Sequence, residues 1–220
     1  MPAAAGIIVA VVTLTGLGLK LSTLIVAAAG NSLALTALYS AAAVMVLGLA
    51  VPVTASFIIA SVVIAPALTH LGVSDFASYM FIFYYAVLSE VTPPTALAAV
   101  AASAITGGDA YRTMMATWKY TLPAFLVPFA FVLSKNGEAL LLQASLPEIV
   151  FASVVSALSV AALSFSIFGW FKGQVAWPAR ALAGAAAIAL LMIEPLYAAV
   201  GVALLAAAIG LHLLGPKRAV

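Results

Sequence analysis

Ser89-Glu90-Val91-Thr92-Pro93-Pro94-Thr95 decides how this chain is read. It sets a carboxylate, hydroxyls and a double proline inside a very apolar sequence. Neither a helix nor a strand runs through it. The two prolines remove two backbone N–H donors, and Pro93 pushes Thr92 away from helical dihedrals. In water the stretch is a turn. At membrane depth its unpaired peptide groups are tolerated only where protein or a water-filled cavity covers them.

Composition places the chain in a membrane. Hydrophobic residues make up 66% and charged residues 6%, against about a quarter charged in a soluble domain. No Asp, Glu, Lys or Arg occurs in 21–74, 149–171 or 195–216. Each run reaches the roughly 20 residues that cross a bilayer core. The net charge of +2 is small and scattered, so nucleic acid is not a partner; membrane lipid is. Cysteine is absent, which removes disulfides and thiolate metal sites. Met1-Pro2 leads straight into apolar Ala3–Leu14 without a basic segment, so no cleaved signal peptide is read.

Outward from the central stretch, the chain resolves into short apolar segments and breaks. Ala3 to about Ala29 is a first span, interrupted by Thr13–Gly18, with Lys20 just beyond. Gly30-Asn31-Ser32 is a turn. Leu33–Leu47 and Phe57–Leu71 flank a second interruption, Gly48–Ser56. Arms of this length reach only about 22 Å, short of a core of about 30 Å. They read as a re-entrant hairpin. Gly72–Asp75 is a surface turn, and Phe76–Leu88 and Ala96–Thr106 flank the Thr92-Pro93-Pro94 break. Asp109 is placed to cap Ala110–Trp118. Thr121–Ser134 crosses, softened by Pro123 and Pro128, and a polar loop runs from Lys135 to Glu148. Three spans follow: Ile149–Phe171, Val175–Ile193 and Leu196–Leu214.

Orientation follows from the basic residues. With 109–119 in the cytoplasm, Arg112, Lys119, Lys172, Arg180, Lys217 and Arg218 all fall inside and only Lys135 outside over this region. The C-terminus is then cytoplasmic.

The two breaks carry the candidate chemistry. Unwound backbone offers carbonyl and hydroxyl oxygens that suit a hard cation such as Na⁺, and helix N-termini suit an anion. Paired interrupted segments point to a midplane site of a secondary transporter. Glu90, a carboxylate at membrane depth, is a functional candidate by default; at the interface it would simply be solvated. Pro66, Pro123 and Pro128 read as kinks, and His70 and His212 as interfacial packing. Two histidines near span ends do not make an enzyme centre. No catalytic triad, His/Glu metal pair or phosphate loop is read.

These residues resemble a known family. Ala4–Gly18, the run Gly48-Leu49-Ala50-Val51-Pro52-Val53-Thr54-Ala55, and Phe83–Ala99 with its Glu90-Val91-Thr92-Pro93-Pro94 core are similar to the large permease subunit of the tripartite ATP-independent periplasmic (TRAP) transporters. The likeness is greatest to fused permeases that work with TAXI-type binding proteins, and covers roughly 3–134. Two departures stand out. Ala50, Val51 and Val53 replace the glycine, leucine and first threonine of the family's Gly-Leu-Pro-Thr-Thr tip, and Glu90 replaces an aspartate. Losing a threonine hydroxyl removes one oxygen that could coordinate an ion.

The resemblance implies an all-α polytopic membrane protein of the bacterial inner membrane. One repeat of an inverted-repeat secondary transporter would occupy 1–134, with hairpin 33–71, discontinuous helix 76–106 and span 121–134. A three-helix extension would occupy 135–220. It implies sodium-coupled import of an organic anion, a carboxylate foremost, delivered by a periplasmic substrate-binding protein, with Na⁺ as coupling ion and no cofactor. Gly48, Ala50, Thr54, Thr92 and Thr95 are the sodium candidates. Pro52, Glu90, Thr92, Pro93 and Pro94 are the substrate candidates. Residues 111–220 hold no second Thr-Pro-Pro break, so the chain reads as the C-terminal half of a permease, partnered by an N-terminal or split half. The alternative is a truncated or structural membrane subunit with no transport of its own.

Overall fold

The computed structural model describes residues 6–7, 10–12, 14–49, 51–134 and 136–214. Ala50, Lys135, Lys217 and Arg218 lie outside the described residues, as do Thr13 and most of the run Ala3–Val9. The fold is all α. Among the described residues there is no strand, only an isolated bridge between Trp170 and Gln174. Helical runs Ala110–Leu133, Leu146–Phe168 and Pro195–Leu214 are long and apolar enough to cross a membrane.

The chain forms two compact units, Met1–Thr121 and Leu122–Val220. This division falls before the 134/135 boundary that the resemblance implies. The segment after Thr121 packs on the helix that starts at Leu146 and on the turn at 137–141, which ties it to the second unit.

The first unit contains α1 (Leu17–Ala28), α2 (Leu33–Gly48), α3 (Val53–Thr69), α4 (Asp75–Leu88), α5 (Leu97–Thr106) and α6 (Ala110–Thr121). Gly16 enters α1 at φ 65°, the left-handed region where glycine is the low-cost residue. Gly18 brings α1 against α3, for a Cβ there would meet the Val62 carbonyl at 2.8 Å. Arms α2 and α3 have 16 and 17 residues, about 24 and 26 Å long. They pack on each other and on α4. Val44, Ile64, Leu68, Phe81, Ile82 and Tyr85 fill the core between them. The Ser74 hydroxyl accepts from the Ala77 N–H and starts α4. Asp109 Oδ1 accepts from the Arg112 N–H at 2.7 Å and starts α6, as the sequence predicts.

The second unit contains α7 (Val127–Leu133), α8 (Leu146–Phe168), α9 (Trp177–Leu191) and α10 (Pro195–Leu214). Over Thr121–Ser134, which the sequence reads as a crossing softened by two prolines, a 3-10 turn, Leu122–Leu126, leads into the short α7. Pro123 and Pro128 lack the N–H groups that a continuous α-helix needs. The expected polar loop also ends early, because Ser145 and Glu148 form a capping box that starts α8 at Leu146. Small residues let α8, α9 and α10 approach closely. Val155, Ala162, Ala186, Ala187, Leu190 and Ala198 form their core. A Cβ on Gly201 would meet Leu190 Cγ at 2.5 Å. Ser159 Oγ donates to the Ala187 carbonyl at 2.8 Å, bonding α8 to α9 within this layer.

Candidate functional site

The break between α4 and α5 is built residue by residue. α4 ends at Leu88 and tightens into a 3-10 turn, Ser89–Val91. Thr92 is extended, at φ −103° and ψ 130°, the conformation a following proline imposes. The Pro93–Pro94 peptide bond is cis. Ala96 then turns the chain at φ 35° and ψ 52° into α5. Hydrogen bonds hold this path. The Thr92 N–H donates to the Ser89 carbonyl at 3.1 Å, and the Ala96 N–H to the Thr92 carbonyl at 3.1 Å. Ser89 Oγ donates to the Ala86 carbonyl at 2.6 Å, and Thr92 Oγ1 to the Leu88 carbonyl at 2.8 Å. Both side chains are buried.

The start of α5 is open. Ala99 and Val100 both donate to the Ala96 carbonyl, and no side chain caps the helix. The Leu97 and Ala98 N–H groups find no backbone acceptor among the described residues. Such donors carry the positive end of the helix dipole.

The hairpin tip is the second element. Pro52 precedes α3 at φ −57° and ψ 153°. Ser56 Oγ donates to the Pro52 carbonyl at 3.0 Å and the Val51 carbonyl at 3.2 Å, which holds the tip against the first turn of α3. Pro52 and Thr54 are exposed, whereas Ser56 is fully buried.

Tip and break meet at Gly48 and Ser89. A Cβ built on Gly48 would overlap the Ser89 side chain. The last residue of α2 is thus seated on the 3-10 turn. Of the sequence candidates, Gly48 and Thr92 are buried beside this contact or on the turn below it, and Thr95 and Pro93 are half-buried. Pro94, Pro52 and Thr54 are exposed. Glu90 is half-buried at the centre of the 3-10 turn.

Ser56 and Ser89 were not among the candidates. Ser56 had a readable signal, a hydroxyl in the first turn after a proline tip. Ser89 had none, since its importance comes from a contact with a residue distant in sequence.

Chemically the site offers oxygen and backbone N–H. Among the described residues no three His, Cys, Asp or Glu side chains cluster to hold a metal ion. Thr92 spends its proton on Leu88 and keeps its lone pairs, the state in which a hydroxyl can face a small cation.

A family model described as the tripartite ATP-independent periplasmic transporter, DctM component, matches residues 1–149. No curated protein and no solved structure matches the chain.

Proposed function

The chain belongs to that DctM family of transporter permeases, and from this premise we propose that it forms one repeat of a sodium-coupled importer of organic anions. The observation that carries the reading is the Gly48–Ser89 contact, which joins a hairpin tip to a broken helix with an open N-terminus.

Two ligands of opposite charge fit two kinds of group. Hydroxyl and carbonyl oxygens at Gly48, Ala50, Thr54, Thr92 and Thr95 would take Na⁺. The N–H groups opening α5, framed by Pro93 and Pro94, would take a carboxylate, with Pro52 of the hairpin tip as a further substrate contact. A bound cation would lower the cost of bringing that anion to membrane depth, which is the physical basis of coupling. Glu90 would order the 3-10 turn and tune the ion site. No covalent chemistry is needed: the step is a movement of the binding elements against a scaffold.

The second inverted repeat would come from a further permease segment. A periplasmic binding protein, with the other component of the tripartite system, would deliver the substrate. The setting is the bacterial inner membrane, with the C-terminus in the cytoplasm.

Reconstitution into vesicles tests this. The chain is combined with its partner segment and binding protein, and carboxylate uptake is followed with and without a sodium gradient. Uptake driven by sodium supports the reading, and uptake that ignores sodium removes the coupling. If Thr92→Ala and Glu90→Ala change neither ion nor substrate binding of the assembled complex, the chain is a structural subunit.

A further inference from the structure

Three hydroxyls deep in the first unit have no partner. Thr36 and Ser40 lie one turn apart on α2, and Ser78 lies in the first turn of α4. All three residues are 0% exposed. Thr36 Oγ1, Ser40 Oγ and Ser78 Oγ make no hydrogen bond to any described residue. Elsewhere in this unit Ser61 turns back to the Phe57 carbonyl of its own helix at 2.7 Å and Ser103 to the Val100 carbonyl at 2.8 Å.

The three lie at neighbouring levels of two packed helices. α2 and α4 pack along each other and finish side by side, at Gly48 and Ser89, so they run in the same direction. Counted back from that contact at the helical rise, Thr36 lies about 18 Å away, Ser78 about 16 Å and Ser40 about 12 Å. Val44 and Ile82, both fully buried, occupy the levels between these hydroxyls and the break, and the equally buried Phe81 sits at the level of Ser40.

A dry hydroxyl at such a position forfeits the hydrogen bonds it had in water. Three at neighbouring levels call for a common partner. A cation satisfies lone pairs only and would leave each O–H without an acceptor. The residues of α2 and α4 include one carboxylate, Asp75, at the very start of α4. Water both accepts and donates, and one buried water serves about three polar groups. We propose that this region binds internal water, bridging Thr36, Ser40 and Ser78, and that Val44 and Ile82 keep it apart from the break. The packing around α2 is then wet near the helix starts and dry next to the Gly48–Ser89 contact. This holds whatever the permease carries.

The test uses the full chain in lipid nanodiscs. Thr36→Val, Ser40→Ala and Ser78→Ala are made singly, in pairs and all three together, and their melting compared. Each single change should lower Tm by about 2–4 °C, the usual response of a chain this size to losing one such bond. The pairs should lose less than the sum, because they break one shared network. Thr36→Ser keeps the hydroxyl and should retain the coupling, which separates loss of the bond from loss of fold. Hydroxyl-radical labelling in heavy-oxygen water should mark α2 and α4 around Thr36 and Ser78, and fade in the triple variant. A Thr36→Val chain that melts higher than the parent, additive pairs, or no labelling in the parent would each overturn the proposal.

Discussion

Gly48 and Ser89 sit so close that a Cβ on the first would overlap the side chain of the second. Ser89 has little freedom to yield, being 1% exposed and bonded through Oγ to the Ala86 carbonyl at 2.6 Å. Glycine is therefore required at 48 by space: its helical backbone would accept any residue. The contact makes the hairpin and the broken helix one mechanical piece, so a change at either end is felt at the other.

Gly48→Ala should push α2 off the 3-10 turn. Overpacking of this kind costs roughly 1–3 kcal/mol, read as a drop in melting temperature. Ser89→Gly in the same chain should recover most of it, since it removes the atoms the new methyl meets. A double-mutant cycle measures the coupling. If Gly48→Ala melts like the parent, the two elements are not locked through this pair.

Thr92→Val keeps the shape of the side chain and removes its O–H. The bond to Leu88 is lost, at about 0.5–1.5 kcal/mol, while Thr92→Ser retains it. Should Thr92 also face the coupling ion, Val raises the sodium concentration for half-maximal uptake and Ser does so far less. Equal sodium dependence of the two variants at matched stability would confine Thr92 to holding the turn.

Ser145→Ala tests the start of α8. The Ser145 N–H donates to Glu148 Oε2 at 2.9 Å, and the Ser145 hydroxyl to the same oxygen at 2.7 Å. Losing an N-cap of this type costs about 1 kcal/mol, and Ser145→Asp should regain part of it. Circular dichroism on heating gives the order of stability. An Ala variant as stable as the parent would show that tertiary packing alone starts α8.

The breaks were legible because proline and glycine act through local geometry. Pro93 forces Thr92 to be extended wherever the chain goes, and the Gly16 turn likewise needs no distant partner. Apolar runs bounded by such punctuation gave helix ends close to those found at Leu33, Leu88 and Thr106. The capping box at Ser145 and Glu148 was present in the sequence but lay inside a polar run that reads equally as loop. Other features have no local signature. Ser134 Oγ donates to the Met192 carbonyl at 2.6 Å and Asn136 Nδ2 to the Ile193 carbonyl at 2.8 Å, closing the end of α9 from more than fifty residues away. Gly48 reads as part of the hairpin's interruption and as a sodium candidate, and only the position of Ser89 shows that it is a packing residue. Glu90 drew attention as a carboxylate in an apolar chain, yet its role depends on what approaches the 3-10 turn, which spacing does not encode.

Arg180→Lys separates geometry from charge at the end of α8. Arg180 Nε donates to the Ser166 carbonyl at 2.7 Å and Nη2 to the Ile167 carbonyl at 2.9 Å. These belong to the last turn of α8, where carbonyls lack intrahelical donors. Gly169 closes the helix at φ 63°, and a Cβ there would come within 2.9 Å of the guanidinium carbon, so the fork fits only against glycine. The Trp177 ring, 5.9 Å from the same carbon, covers it. Lysine keeps the charge that favours a helix C-terminus, worth about 0.3–1 kcal/mol, but offers no planar fork and stacks poorly. Hydrogen bonds from a charged donor contribute about 1.5–3 kcal/mol. Arg180→Ala should therefore lower the melting temperature markedly, and Arg180→Lys should recover the smaller share. Gly169→Ala should resemble Arg180→Ala, since its methyl displaces the guanidinium and its backbone is left-handed. Full recovery by lysine would reduce the interaction to charge against the helix dipole and remove the need for glycine at 169.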